Sequence, residues 1–345
     1  MAMSNLLDHP FWRSSDPSAM RLVRMSTYFP PALNPFHDKG VTISAAGVPG
    51  DVRHSKWYVA REGILDGLKL GRITPDTHIV EASSGNTGDG LAGICNTLGL
   101  EITLILPGDT PGPKINAIRA LGRYVNVETH SKAGQSATER ARELGAQLGW
   151  YSPDQYAGEW NPNAHFKYLA PQLFDLQIPS LLFLPAGTMG TAMGLHRYSC
   201  EHKLETRIIP VVCAEGEEVP GARSLSRIER DVRLPWRGCF ERLWSGPRHE
   251  SFLLSYLSWT HMPEQMLGPS FGLGYYGALS FLQCCVEEST LDGYRDANGR
   301  IHVVLFGPDD NRLYSDVYFS ELTLEELSDR TPSLVRLRNR LKLTH

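Results

Sequence analysis

Five short apolar runs, each breaking off into small or polar residues, constrain this chain more than any other feature. They are HIVEASSGN (78–86), EITLILPGD (101–109), SLLFLPAGT (180–188), RIIPVVCAE (207–215) and IHVVLFGPD (301–309). Each is rich in Val, Ile and Leu without strict alternation, which is how a strand covered on both faces reads. Between them lie helix-like stretches at 88–98, 133–148 and 273–287. Strands alternating with helices predict an α/β fold with parallel-rich sheets flanked by helices. Ligands of such sheets gather at the carboxyl ends of the strands. The loops after 78–83, 180–186 and 301–306 are therefore where chemistry is expected. The stretch 215–268 differs: it is rich in charge, holds three of the seven tryptophans and shows no period. It is expected to be irregular, as a lid or an interface.

Composition narrows the class. A chain of 345 residues is long enough for two packed domains. A formal net charge of −4 gives no electrostatic reason to expect nucleic acid or an anionic membrane as partner. No apolar run approaches the roughly 20 residues of a membrane span. The N-terminus lacks a basic segment followed by an apolar one, so no secretory signal is expected. Six cysteines without a CxxC pair fit neither a disulfide framework nor a zinc module. No metal is expected, and a reducing, cytoplasmic location is the default. Cys284 and Cys285 follow an apolar run and are read as buried in a helix.

Three loops carry the candidate chemistry. Ser83-Ser84-Gly85-Asn86-Thr87-Gly88 follows a strand and opens a helix. Its hydroxyls, amide and backbone N–H groups suit a carboxylate or a phosphate, although a plain helix-capping turn would read the same way. Gly187-Thr188-Met189-Gly190-Thr191 repeats the arrangement with glycines that let backbone approach an anion. It lacks the lysine of a P-loop and the spacing of a dinucleotide fingerprint. Gly268-Pro269-Ser270-Phe271-Gly272 precedes an apolar stretch, where Ser270 alone reads as a helix N-cap.

Taken together and in this order, the loops resemble those of the fold-type II pyridoxal-phosphate enzymes of the cysteine synthase and cystathionine β-synthase family. The family's TSGNTG stands here as Ser83 to Gly88, its GTGGT as Gly187 to Thr191 with Met189 in place of a glycine, and its GxSSG as Gly268 to Gly272. Its QFxNPANPxAH looks like Gln155-Tyr156 through Asn161-Pro162-Asn163-Ala164-His165, and Lys56 lies thirty residues before Asn86, as the cofactor lysine should. The resemblance implies a two-domain fold: a small α/β domain over 46–152, and a large one joining 1–45 to 153–345, with the cofactor between them. It implies pyridoxal 5′-phosphate bound covalently to Lys56, which also shuttles the substrate's α-proton. Asn86 would meet the cofactor's phenolate oxygen, Gly187, Thr188, Met189, Gly190 and Thr191 would cradle its phosphate, and Ser270 would face its pyridine nitrogen. Ser83, Ser84, Thr87 and Gln155 would receive the substrate's α-carboxylate.

The activity so implied is β-replacement on an O-activated serine or a cysteine by way of an aminoacrylate, as in cysteine synthase. A β-eliminating lyase that releases pyruvate and ammonia shares the same lysine and stays open. The partners implied are a small amino-acid substrate and a nucleophilic second substrate, in a homodimer serving amino-acid metabolism. Departures from the family cluster on the substrate side. The lysine segment reads Gly50-Asp51-Val52-Arg53-His54-Ser55-Lys56-Trp57-Tyr58, with the family's Asn-Pro gone and its Asp-Arg replaced by Trp-Tyr. These aromatic residues, with Trp236 and Trp244, predict either a pocket for a nucleophile bulkier than sulfide or packing at a subunit interface.

Overall fold

The computed structural model describes residues 6–49, 54–83, 85–108, 110, 112–259, 262 and 267–328. They form two compact units. One comprises Met1–Met20, Ser55–His165 and Asp231–Leu234; the other comprises Arg21–His54, Phe166–Arg230 and Pro235–His345.

The first unit is built on a parallel sheet of strands β3 (His78–Ala82), β4 (Ile102–Pro107), β5 (Val125–His130) and β6 (Trp150–Tyr151), in the order β5-β4-β3-β6. Its longer helices are α1 (Lys56–Lys69), α2 (Asn86–Leu98), α3 (Gly112–Arg119) and α4 (Ala137–Gly145). The apolar runs at 78–86 and 101–109 become the two central strands, with Ile79 paired to Ile102 and Ala82 to Ile105. Both faces are covered, which explains the missing alternation. Ile79, Ile102 and Leu104 share a core with Ile64 and Leu68 of α1 and with Leu91 and Ile94 of α2. Val80 and Ile105 pack with Ala141 and Leu144 of α4. Ser136 and Glu139 form a capping box at the start of α4, satisfying two end N–H groups reciprocally. Leu6 and Trp12, far away in sequence, join the first core.

The second unit holds a six-stranded sheet of β1 (Arg24–Met25), β2 (Val41–Gly47), β7 (Leu181–Pro185), β8 (Arg207–Cys213), β9 (Trp244–Gly246) and β10 (Ile301–Gly307), in the order β1-β2-β10-β7-β8-β9. Every pairing is parallel except that of the short edge strand β1 with β2. Helices α5 (Gly190–Glu201), α6 (Arg248–Trp259) and α7 (Pro269–Glu287) belong to this unit. Its core gathers Ile43, Phe183, Val211, Leu254, Phe271 and Leu305.

The stretch 215–268 is not irregular, contrary to the sequence reading. It contains a helix at Leu225–Asp231, strand β9 and helix α6. The period of α6 is hidden because the helix is buried along most of its length and its serines turn inward. Ser251, Ser255 and Ser258 donate to the carbonyls of Pro247, Leu267 and Leu254 at 2.6, 2.6 and 2.7 Å. Serine breaks an apolar period because it is polar, yet a hydroxyl satisfied by a carbonyl sits in the core. The tryptophans of this stretch also pack inward: Trp244 meets Phe281 edge-on at 5.4 Å, Trp259 meets Tyr318 at 4.5 Å, and Trp236 is buried. Of the cysteine pair in α7, Cys285 is buried and Cys284 is only partly so.

Candidate active site

Lys56 is the first residue of α1, and Asn86 is the first residue of α2. What lets these two helix starts approach is Gly90. A Cβ there would lie 3.0 Å from the Ala60 side chain and 3.3 Å from both the Lys56 carbonyl oxygen and the Trp57 Cα, so a larger residue would push α2 off the first turn of α1 by a few tenths of an ångström. Lys56 keeps some exposed surface, but protein crowds its ammonium group. Desolvation there brings its pKa down to about 8. The crowding at the charged tip governs the titration, whatever surface the stem retains. Ser55, just before it, caps α1 without a side-chain cap bond, and its buried Oγ has no hydrogen-bond partner.

Within the first turn of α1 the side chain of Tyr58 is fully buried, its hydroxyl 3.0 Å from Nδ1 of His165, which is equally buried. Burial, and secondarily the charge of Lys56, hold His165 well below the usual imidazole range, so it is neutral near pH 7. Burial raises the Tyr58 phenol well above its ordinary value. The replacement of Asp-Arg by Trp57-Tyr58 thus places an uncharged, hydrogen-bonded pair behind the lysine. The sequence reading offered Tyr58 as pocket or interface lining; it is neither exposed nor at a surface. Lys69, at the far end of α1, is exposed.

In the loop after β3, Ser83 Oγ accepts the N–H of Gly88 at 2.9 Å, which leaves its own proton available to a ligand. Ser84 lies outside the described residues. Thr87 is buried and donates to Oε1 of Gln155 at 2.7 Å, while Nε2 of Gln155 donates to the Ala82 carbonyl at 3.3 Å. Two of the expected carboxylate ligands are therefore bonded to each other. Asn161 Nδ2 pins the Gln155 carbonyl at 2.7 Å. Lys56, Ser83, Asn86, Thr87 and Gln155 all belong to the first unit.

The second unit carries the other set. Gly187 to Gly190 link β7 to α5, with Thr188, Met189, Gly190 and Thr191 all buried. Met189, the residue that departs from the family pattern, is the N-cap of α5 with φ +64°, the left-handed conformation a glycine takes at little cost. The backbone therefore follows the glycine's path although the side chain does not. Gly187 is required by contact: a Cβ there would lie 2.5 Å from the Gly221 carbonyl oxygen. Ser270 is the second residue of α7, and the N-cap is Gly268, so the helix-cap reading of Ser270 fails. Its Oγ is wholly buried without a hydrogen-bond partner. One turn further on, a Cβ added at Gly274 would lie 3.9 Å from the Phe183 and Leu184 backbone of β7. Ser270 is thus within a turn of the strand that leads into the Gly187–Thr191 loop.

These features fit pyridoxal phosphate. A lysine whose pKa is lowered is a better nucleophile toward an aldehyde near neutral pH. An orphaned buried hydroxyl costs free energy unless a ligand engages it. A glycine-bearing loop at the N-terminus of a twelve-residue helix receives an anion. Among the described residues no group of three metal-ligating side chains exists, and no helix is long and apolar enough to cross a membrane. Sequence reasoning missed Ser55, Gly90 and Glu81, and it gave Tyr58 no buried partner; Glu81 stands as the lone acid of its strand and could have been noticed.

Comparison with known proteins agrees with this geometry. Residues 52–237 match the model of a family described as pyridoxal-phosphate dependent enzyme. The chain is 30% identical to cysteine synthase B of Pseudomonas aeruginosa over 155 residues, 44% of this chain and 52% of that protein. It is 28% identical to cysteine synthase B of Escherichia coli over 162 residues, 46% and 54% of the two. The chain thus spans about half the length of the curated relatives it matches. Among solved structures, cysteine synthase of Entamoeba histolytica superposes with a TM-score of 0.73 at 17% identity, over 95% of each chain. A hydrogen sulfide-producing enzyme of Fusobacterium nucleatum superposes with a TM-score of 0.68 at 22% identity, over 87% of this chain and 98% of that one. These likenesses establish the fold-type II architecture read from the loops. The chain belongs to the pyridoxal-phosphate dependent enzymes.

Proposed function

We propose that this protein catalyses β-replacement on an O-activated serine or a cysteine, as a cysteine synthase-like transferase. The observation that carries the reading is Lys56. Its pKa is held near 8, and it opens a helix packed against the one that Asn86 and the serine-threonine loop begin. Pyridoxal phosphate, when bound, supplies the electron sink that makes an amino acid's α-hydrogen acidic and its β-substituent able to leave.

The protein's part is binding, orientation and proton handling. Lys56 would hold the cofactor through its Nζ, and the same nitrogen would take the substrate's α-proton; the lowered pKa keeps a useful fraction in the basic form near neutral pH. The proton of Ser83 Oγ and the Thr87–Gln155 pair are the proposed seat of the substrate carboxylate, and Ser84, outside the described residues, is assigned to the same seat. Asn86 is assigned to the ring oxygen. Gly187, Thr188, Met189, Gly190 and Thr191 are assigned to the phosphate. Ser270 offers the ring nitrogen a neutral hydroxyl, which cannot enforce a protonated ring as a carboxylate would. That weakness favours prompt departure of the β-substituent over racemisation or transamination.

The proposal extends to a cytoplasmic homodimer; the free thiols of buried Cys95, Cys213 and Cys285 support a reducing compartment. Purified protein assayed with O-acetylserine, O-phosphoserine and cysteine as donors, against sulfide, larger thiols and amines, tests the activity. Thioether, amine adduct or cysteine formation without matching pyruvate supports replacement. Stoichiometric pyruvate and ammonia with every nucleophile would make the protein a β-eliminating lyase instead.

A further inference from the structure

Glu81 stands in β3 two residues before Ser83 and is 1% exposed. Its Oε1 lies 3.5 Å from Nε2 of Gln155, and its buried Oε2 has no hydrogen-bond partner. A carboxylate so placed would be a deeply buried charge whose desolvation outweighs the N–H groups turned toward it. The groups around it sharpen the point. Asp154 is the acid whose charge acts on Glu81; it has φ +53°, and Nε and Nη2 of Arg142 reach its carboxylate at 2.6 and 3.3 Å. Arg142 also donates to the Asp231 carbonyl at 3.0 Å. Arg142 and the phenol of Tyr151 are the remaining titratable groups that feel Glu81. The backbone N–H groups of Asp154 and Gln155 turn partial positive charge toward Glu81 but do not neutralise it. The carboxyl is thus locked behind the Gln155 amide, which Thr87 engages from the other side.

We propose that Glu81 is a positioning residue that works as a neutral acid: it braces the Thr87–Gln155 pair to receive the substrate's α-carboxylate, and its ionisation in alkaline solution turns that seat repulsive. Burial, reinforced by Asp154, raises its pKa to about 8, so the neutral form prevails at pH 7. The inference rests on the reading that Thr87 and Gln155 seat an amino acid's carboxylate.

The test is the affinity of cofactor-loaded protein for L-alanine, which has no leaving group, measured across pH for the native chain and for Glu81→Gln. The native protein should lose about tenfold in affinity as pH rises through 8, the size expected of a like charge acting through protein. Glu81→Gln, which cannot ionise, should lack that loss. Infrared difference spectra of the native chain titrated through the same range should show a protonated carboxyl disappearing, and that band should be missing in Glu81→Gln. If Glu81→Gln does not fold, Asp154→Asn serves: removing the neighbouring charge lowers the Glu81 pKa, so the affinity loss should move to lower pH. Loss of affinity with unchanged pH dependence in Glu81→Gln, or an ionised carboxyl at pH 7, would overturn the role of Glu81 and leave the proposed function standing. Failure of L-alanine to bind at any pH would overturn the carboxylate seat itself.

Discussion

Gly187→Ala adds one methyl at a point where there is no room for it. The new Cβ would lie 2.5 Å from the Gly221 carbonyl oxygen and 3.5 Å from its carbon. A carbon–oxygen contact of about 3.3 Å is the ordinary lower limit, so one segment must move by about 0.8 Å. The clash is costly to relieve, because the atom met is backbone and not the far end of a flexible side chain. Displacement at Gly187 falls on the loop that carries Thr188 and Thr191. Overpacking of this kind costs about 1–3 kcal/mol. If that cost appears in the cofactor-bound geometry, affinity for pyridoxal phosphate falls about 5- to 150-fold. Gly93→Ala is the matched control: it lies inside α2 with nothing within 4 Å of the added Cβ. It should stabilise the protein by about 0.5–1 kcal/mol and leave cofactor affinity unchanged. Cofactor titration of resolved protein, with thermal unfolding of both variants, reads the two effects. Gly187→Ala binding the cofactor within twofold of the native chain would refute the cradle assigned to this loop.

Ser270→Ala removes a hydroxyl with no protein partner, so the cofactor-free protein should unfold at the same temperature or be stabilised by about 1 kcal/mol, while the bound cofactor's absorption shifts; a marked drop in melting temperature would refute this. Tyr58→Phe deletes the buried hydroxyl 3.0 Å from His165 and should cost about 1–3 kcal/mol in denaturant unfolding. An unchanged midpoint would mean the pair contributes nothing. Lys56→Met should stabilise the cofactor-free chain at neutral pH, and the gain should shrink in alkaline solution. The sign follows from a folded pKa near 8 against an ordinary value of 10.5: the unfolded chain binds the extra proton in that window, so native stability rises with pH there. An equal gain at pH 7 and at pH 10.5 would contradict the lowered pKa.

Much of the fold was legible because the central strands are buried on both faces and announce themselves as unbroken apolar runs. Strands β3, β4, β7, β8 and β10 were all seen this way. Strand β5, VNVETH, was not, because an edge strand half open to water carries polar residues that break the run. Helix α6 was lost to the opposite cause, since its inward serines imitate a polar surface. The loops at 83–88 and 187–191 were visible because their chemistry is local: small donors at a strand-to-helix junction. What stayed hidden depends on distant partners. Tyr58 meets His165 across 107 residues, and Gln155 meets Thr87 across 68. No spacing rule connects such pairs. Glu81 was visible as a residue but not as a deeply buried acid, because the Gln155 amide it meets comes from a loop more than seventy residues away.

Mapping the covalent site of the cofactor tests the central claim most directly. Protein loaded with pyridoxal phosphate is treated with borohydride to fix the link, digested, and sequenced by mass spectrometry. The account predicts the cofactor on Lys56 alone, with Lys56→Ala losing both the label and turnover. Label on Lys69 or another lysine, or a Lys56→Ala variant that still binds covalently and turns over, would contradict it.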